Sequence, residues 1–161
     1  MDGRIIVLQR FLEAMGEPTD ISDIRSRKRF QKAVYLGQLS GIDLGYRYSW
    51  YVQGPYSTSL TKDYYALSAA QRAGEEPPAD KRLKPAIRGK LKELRGLLEV
   101  PESADLDEPS WYELLASWHY LLKVSGLPRA AAAETMGRTK RHLVEHIERA
   151  DKRLRRYELI D

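Results

Sequence analysis

The chain has 161 residues, 42% of them hydrophobic and 31% charged, with a formal charge of +4. That size and balance fit one domain with a substantial core, and the absence of cysteine excludes a disulfide framework or a thiolate metal site and makes the reducing cytoplasm the expected compartment. No apolar run of about 18 residues occurs, so no membrane span is expected, and "MDGRIIVLQRFLEAMGEP" turns charged too soon for a secretory signal.

Arg4 to Met15 reads as a helix, with Ile5, Leu8, Leu12 and Met15 on one face and Gly16 and Pro18 behind it. A second helix starts within "DISDIRSRKRF", capped by Asp23 or Ser26, and runs to Gly41. Phe30, Ala33, Val34, Gly37 and Gly41 share a face that Tyr35, Leu36 and Leu39 widen, which marks this helix as central. The period then changes to two. Tyr46, Tyr48, Trp50 and Val52 alternate with Arg47, Ser49 and Tyr51, a strand pattern broken by Gly54-Pro55. Helix returns at Thr58, with Ser57 placed to cap it near the Leu60 amide and with Leu60, Tyr64 and Leu67 facing inward.

"AGEEPPAD" (73–80) is a polar surface connection. Leu83, Ile87, Leu91, Leu94 and Leu98 step as a single helix that Pro101 ends. Ser110 caps the next helix, with Glu113 at capping-box spacing, and Trp111, Leu114, Leu115, Trp118, Leu121 and Leu122 form its stripe up to Gly126. Pro128 opens a short Ala-rich helix stopped at Gly137. A last helix carries Leu143, Ile147, Ala150 and Leu154, with acid–base pairs at i, i+4 along it: Arg141–Glu145, Glu145–Arg149, Glu148–Lys152 and Asp151–Arg155.

Few of the chemistry-bearing patterns survive inspection. "HLVEH" (142–146) spells H-x-x-E-H, an inverted zinc-peptidase pattern. Its third ligand belongs far downstream, beyond the 15 residues that follow, so two histidines on a partly exposed basic helix are expected and no metal. His119, between Trp118 and Tyr120, reads as a core or boundary residue, without the spacing of a triad. No phosphate-loop motif occurs, and no cofactor or small-molecule substrate is indicated.

Charge is spread along the chain: residues 1–45 carry seven basic and six acidic groups, 46–74 three and one, 75–110 seven and nine, and 111–161 ten and seven. Two clusters are locally basic, "RSRKRFQK" (25–32) and "KRLKPAIRGKLKELR" (81–95). Cations on the free face of a helix neutralise phosphates without reading bases. "AAETMGRTKRHL" (132–143) has the outline of a helix-turn-helix, with Ala133 at the small position, Gly137 at the turn and Leu143 six later. Arg138 and His146 stand where apolar residues are usual.

"KRFQKAVYLGQLSG" followed by "YRYSWYVQGPYSTSLTKDYYAL" resembles the [KR]-x-[LF]-Q-K-x-x-Y-L and GPYS-x-x-L blocks of the YwgA-like bacterial and archaeal proteins. The Gln-Lys helix followed by a Gly-Pro turn is more distantly similar to the Panacea, or SocA-like, antitoxin domain. The matching positions are Phe30, Gln31, Lys32, Tyr35, Leu36, Tyr48, Tyr51, Gly54, Pro55, Tyr56, Ser57 and Leu60. The resemblance implies a winged-helix-like protein of the regulator or adaptor kind, of a sort found at prophage and defence loci.

The expected architecture is one domain over 1–161, mainly α (α+β). A winged-helix-like N-terminal half (1–72) holds the Gly-Pro joint and a short β-ribbon, completed by a C-terminal helical bundle (81–161). The expected function is non-enzymatic binding of DNA or RNA, with Arg27, Lys28, Arg29, Lys32 and Lys62 on phosphates and Arg82, Lys84, Arg88 and Lys92 as a second patch. The alternative is a protein-interaction module using the aromatic surface of Tyr51, Tyr56, Tyr64 and Tyr65. Tyr51 to Leu67 itself is expected to be mainly an architectural joint.

Overall fold

Asp2 opens the first helix, α1 (Gly3–Met15), by accepting from the Arg4 amide at 2.8 Å, and Gly16 closes it in the left-handed region at φ 73°. The computed structural model describes residues 1–52 and 54–161. Asp23 caps α2 (Ile24–Gln38) through the Ser26 amide at 2.7 Å. Every residue from Phe30 to Gly37 is buried, so α2 is central as its composition predicts, although it stops at Gln38, before Gly41. Gly37 is where α1 and α2 touch. A Cβ there would stand 2.5 Å from the Phe11 ring and 2.7 Å from Met15 Sδ.

The predicted strand from Tyr46 to Val52 shrinks to β1 (Ser49–Tyr51), antiparallel to β2 (Gly54–Tyr56) with Ser49 opposite Tyr56. The alternation holds as burial from Tyr46 to Tyr51, but the backbone at Tyr46 has a different partner. The Gln38 side chain accepts from the Tyr46 and Leu44 amides and donates to the Tyr46 carbonyl, taking the place of a neighbouring strand. Val52 sits at the turn and is 83% exposed instead of facing inward. Ser57 caps α3 (Thr58–Arg72) as expected, its Oγ accepting from the Leu60 amide at 3.2 Å.

The helix expected from Leu83 to Leu98 is two, α4 (Pro85–Glu93) and α5 (Arg95–Leu98), with Pro85 at the first position of α4, where no amide is needed. Asp107, not Ser110, caps α6 (Glu108–His119), accepting from the Ser110 amide at 2.9 Å. The start therefore moves three residues upstream. Glu113 leaves the first turn and points inward, and every residue from Trp111 to His119 is buried against α2 and its neighbours. The helix widens into a π-turn over Tyr120–Val124.

Gly137 does not stop α7 (Arg129–Thr139), which runs through it. A 3-10 segment (Arg141–His146) and then α8 (Ile147–Arg156) follow. The helix-turn-helix outline, imperfect in sequence, is not met: α7 runs through Gly137, and Leu143 lies in the 3-10 segment, not on a second helix. The same segment removes two of the expected ion pairs. Glu148–Lys152 and Asp151–Arg155 form at 3.4 and 2.9 Å, whereas Glu145 and Arg149 both turn to His146.

The chain is thus mainly α with a two-stranded antiparallel ribbon between α2 and α3, and one buried cluster draws on residues from Ile5 to Ile160. No helix among the described residues is long and apolar enough to cross a membrane.

Gly37→Ala tests the α1–α2 contact. Alanine gains about 1 kcal/mol of helix propensity but meets a buried ring, and overpacking costs about 1–3 kcal/mol. A net loss of stability in urea unfolding is expected, larger for Gly37→Val.

Candidate functional site

Two adjacent residues of α2 hold the Gly-Pro turn. The Gln31 side chain accepts from the Ser57 amide at 2.9 Å and donates to the Ser57 carbonyl at 3.0 Å and to Thr61 Oγ1 at 2.9 Å. Lys32 Nζ donates to the Pro55 carbonyl at 2.7 Å and is 1% exposed. The Q-K pair and the GPYS block are therefore two sides of one hydrogen-bond set. Gly54, at φ 93°, lets the turn close on α6: a Cβ there would stand 2.5 Å from Ser117 Oγ.

Beneath the turn lies a cluster of charges. Lys140, at the end of α7 and 1% exposed, donates to Glu113 Oε2 at 2.9 Å and to the Val52 carbonyl. Lys28, one turn before Lys32 on α2, donates to Glu113 Oε1 at 3.0 Å. The Trp50 ring stands 5.4 Å from Lys140 Nζ. One buried carboxylate thus pairs with two ammonium groups, Lys28 and Lys140, and its charge also acts on a third, Lys32. Burial pushes Lys32 down to about 7, reinforced by Lys140 and Lys28 and opposed by Glu113. Neither Glu113 nor Lys140 stood out as part of a site in the sequence: Glu113 matched a helix cap, and Lys140 lies 88 residues from the carbonyl it holds.

His119 is buried as expected, its Nδ1 2.7 Å from the Tyr35 hydroxyl. Burial pushes the imidazole down to about 4 and the phenol above its ordinary value, so Tyr35 donates to a neutral ring. His142 is exposed and His146 buried beside Arg149, so the H-x-x-E-H spacing does not bring the two rings together. No group of three metal-ligating side chains occurs among the described residues.

The two basic clusters meet different fates. In 25–32 the cations face the acidic start of α6: Arg25 pairs with Asp107, Lys28 with Glu113, and Arg29 with Glu17 at 2.8 Å and Glu108 at 3.0 Å while lying over Tyr112. Arg27 donates to the Ile21 carbonyl. Lys32 is sealed inside, and a phosphate cannot reach it. Of the cations expected on phosphates in this cluster, Lys32 is thereby excluded, while Arg27, Lys28 and Arg29 are half-buried and engaged within the fold. Lys62, on α3, is exposed.

The second cluster stays open. Arg82, Lys84, Arg88 and Lys92 are exposed, as are Lys81 and Lys90, and none pairs with a carboxylate among the described residues. Lys84, Arg88 and Lys92 recur every four residues and fall along one flank of α4.

At the hairpin, Tyr51 is 48% exposed and packs edge-on against half-buried Tyr56 at 5.2 Å; Tyr65 is 50% exposed beside buried Tyr64. Compared with models of known families, with curated proteins and with solved structures, the chain finds no match.

Removing the shared carboxylate strands two buried ammoniums. Glu113→Gln is expected to lower stability by about 3–5 kcal/mol in chemical denaturation. Lys32 sets a pH signature. Its folded value of about 7 lies below the ordinary 10.5, so between these the unfolded chain binds more protons and stability rises with pH. Above about 10 the buried tyrosines, Tyr46 among them, oppose the rise because their folded values are raised. Unfolding measured from pH 7 to 10 is expected to show this increase in the parent and a flatter profile in Lys32→Met.

Proposed function

We propose that the protein is a non-catalytic binding module whose α4 segment contacts the phosphate backbone of a nucleic acid, in a regulatory role. The observation that carries this reading is the set of exposed, unpaired cations from Lys81 to Lys92, on a chain whose other prominent basic cluster is neutralised internally. Unpaired cations repeated along a helix flank fit evenly spaced phosphates and release counterions on binding. Nothing in that flank offers hydrogen-bond readout of base edges beyond the Lys and Arg side chains themselves, so shape and charge, more than sequence, are the expected basis of recognition. We also propose kinship with the YwgA-like proteins; its support is the Gln31-Lys32 and Gly54–Ser57 blocks, which meet in one hydrogen-bond network.

A second reading has its own observation. Tyr51 and Val52 expose apolar surface at the hairpin, where Tyr51 packs on Tyr56, and Tyr65 is exposed on α3, surface suited to a protein partner. A clean monomer that shifts duplex DNA, with no effect of Tyr51→Ser, counts against it.

Fluorescence anisotropy of a labelled duplex, and of the matching single strand, across a salt series tests the leading reading. Retention at low salt and a steep fall as salt rises are expected. The Lys84→Ala, Arg88→Ala and Lys92→Ala triple variant is expected to reduce the slope of log K against log salt by up to about 2.7. No retention of either probe at about 50 mM salt overturns it.

A further inference from the structure

Arg10 ties α1 to the segment before α4, donating to the Lys81 carbonyl at 2.9 Å and the Pro78 carbonyl at 3.0 Å. On either side of this tie lies a hollow open to solvent. One, of about 340 Å³, has an aliphatic floor of Ile6, Val7 and Leu83. The other, of about 450 Å³, is bordered by Arg82 and Arg88 and, across it, by Glu13. Glu13 is already paired with Arg10 at 2.9 Å, so it does not neutralise the two arginines opposite. The hollows follow α1 from Gly3 to Ala14, a length of about 16 Å at the helical rise.

We propose that this two-part groove docks an acidic amphipathic peptide segment of a partner protein. An apolar side chain of the segment fills the Val7 hollow, and carboxylates about one turn away meet Arg82 and Arg88. The charge and the apolar floor select this occupant together. A phosphate backbone uses the arginines but gains nothing from aliphatic carbon, and a nucleobase seeks an aromatic ring to stack on, which neither hollow has. Val7 is 40% exposed on a helix whose other apolar residues are mostly buried, an apolar residue left over by the chain's own packing. An amphipathic helix laid in a groove uses this combination of apolar anchor and charged rim. The groove shares Arg82 and Arg88 with the α4 cations proposed to meet phosphates, and Val7 is the residue that distinguishes the two readings, because it takes no part in phosphate binding.

Selection of a random library of peptides of about 16 residues on the whole protein tests it, followed by titration of the labelled consensus peptide. Enriched peptides are expected to be net acidic, with apolar residues at i and i+3 or i+4. Val7→Asp and, separately, Arg88→Glu are each expected to weaken the consensus peptide by at least about tenfold. Replacing the peptide's acids with lysine is expected to restore binding to Arg88→Glu. Val7→Asp is expected to leave duplex binding unchanged, which separates the groove from the α4 flank. Enrichment of neutral or basic peptides, or equal binding to the parent and Val7→Asp, overturns the proposal.

Discussion

Burying the Lys32 ammonium under the Gly-Pro turn constrains the elements around it. A charge so enclosed is tolerable only if its protons find acceptors and an opposite charge stands near. The Pro55 carbonyl supplies the acceptor, and Glu113 supplies the charge. This requires α6 to present Glu113 on its inner face. Lys140 then closes the arrangement from the end of α7, using the second carboxylate oxygen and the Val52 carbonyl. Three helices and the ribbon meet at this cluster of Lys32, Glu113 and Lys140. Gly54 is the steric counterpart, since any side chain at that position would strike Ser117.

Much of the fold was legible from local signals. Asp23 and Ser57 cap their helices, and the apolar faces of α1, α2 and α3 follow their spacing. Local rules failed where a distant group took over. The strand at Tyr46 was cut short because Gln38 had already occupied its backbone. Ser110 lost its cap to Asp107, and with that shift Glu113 changed from a capping-box residue to a buried counterion of Lys28 and Lys140. Gly137 tolerated helix because glycine lowers helix stability by only about 1 kcal/mol and tertiary packing outweighs it. Of the candidate surface, the 81–95 cluster could be read in advance, whereas the groove beside it could not, because it forms between α1 and a segment about 70 residues on, brought together in part by the hydrogen bonds of Arg10.

Charge clusters that look alike in sequence differ by what folds against them. Residues 25–32 and 81–95 are both dense in Lys and Arg. The acidic residues at the head of α6 lie on the first and turn its cations into internal ties; the second lies against α1, whose facing acid is already engaged. Net charge therefore describes this chain less well than the location of its unpaired charge. The long GPYS stretch divides in the same way. Its Gly, Pro and Ser belong to architecture, while Tyr51 and Val52 reach solvent from the same turn.

The tie between Val52 and Lys140 also orders events in time. The two residues are separated by 88 positions in the chain, and ribosomes add about 5–20 residues per second. The hairpin is therefore made roughly 4–18 s before its last anchor exists. Until α6 is synthesised, neither Glu113 nor Ser117, against which the turn closes, is present, so Lys32 is enclosed only once α6 is in place. Synthesis of the C-terminal helices therefore supplies the groups that enclose Lys32 and complete the anchoring of the hairpin.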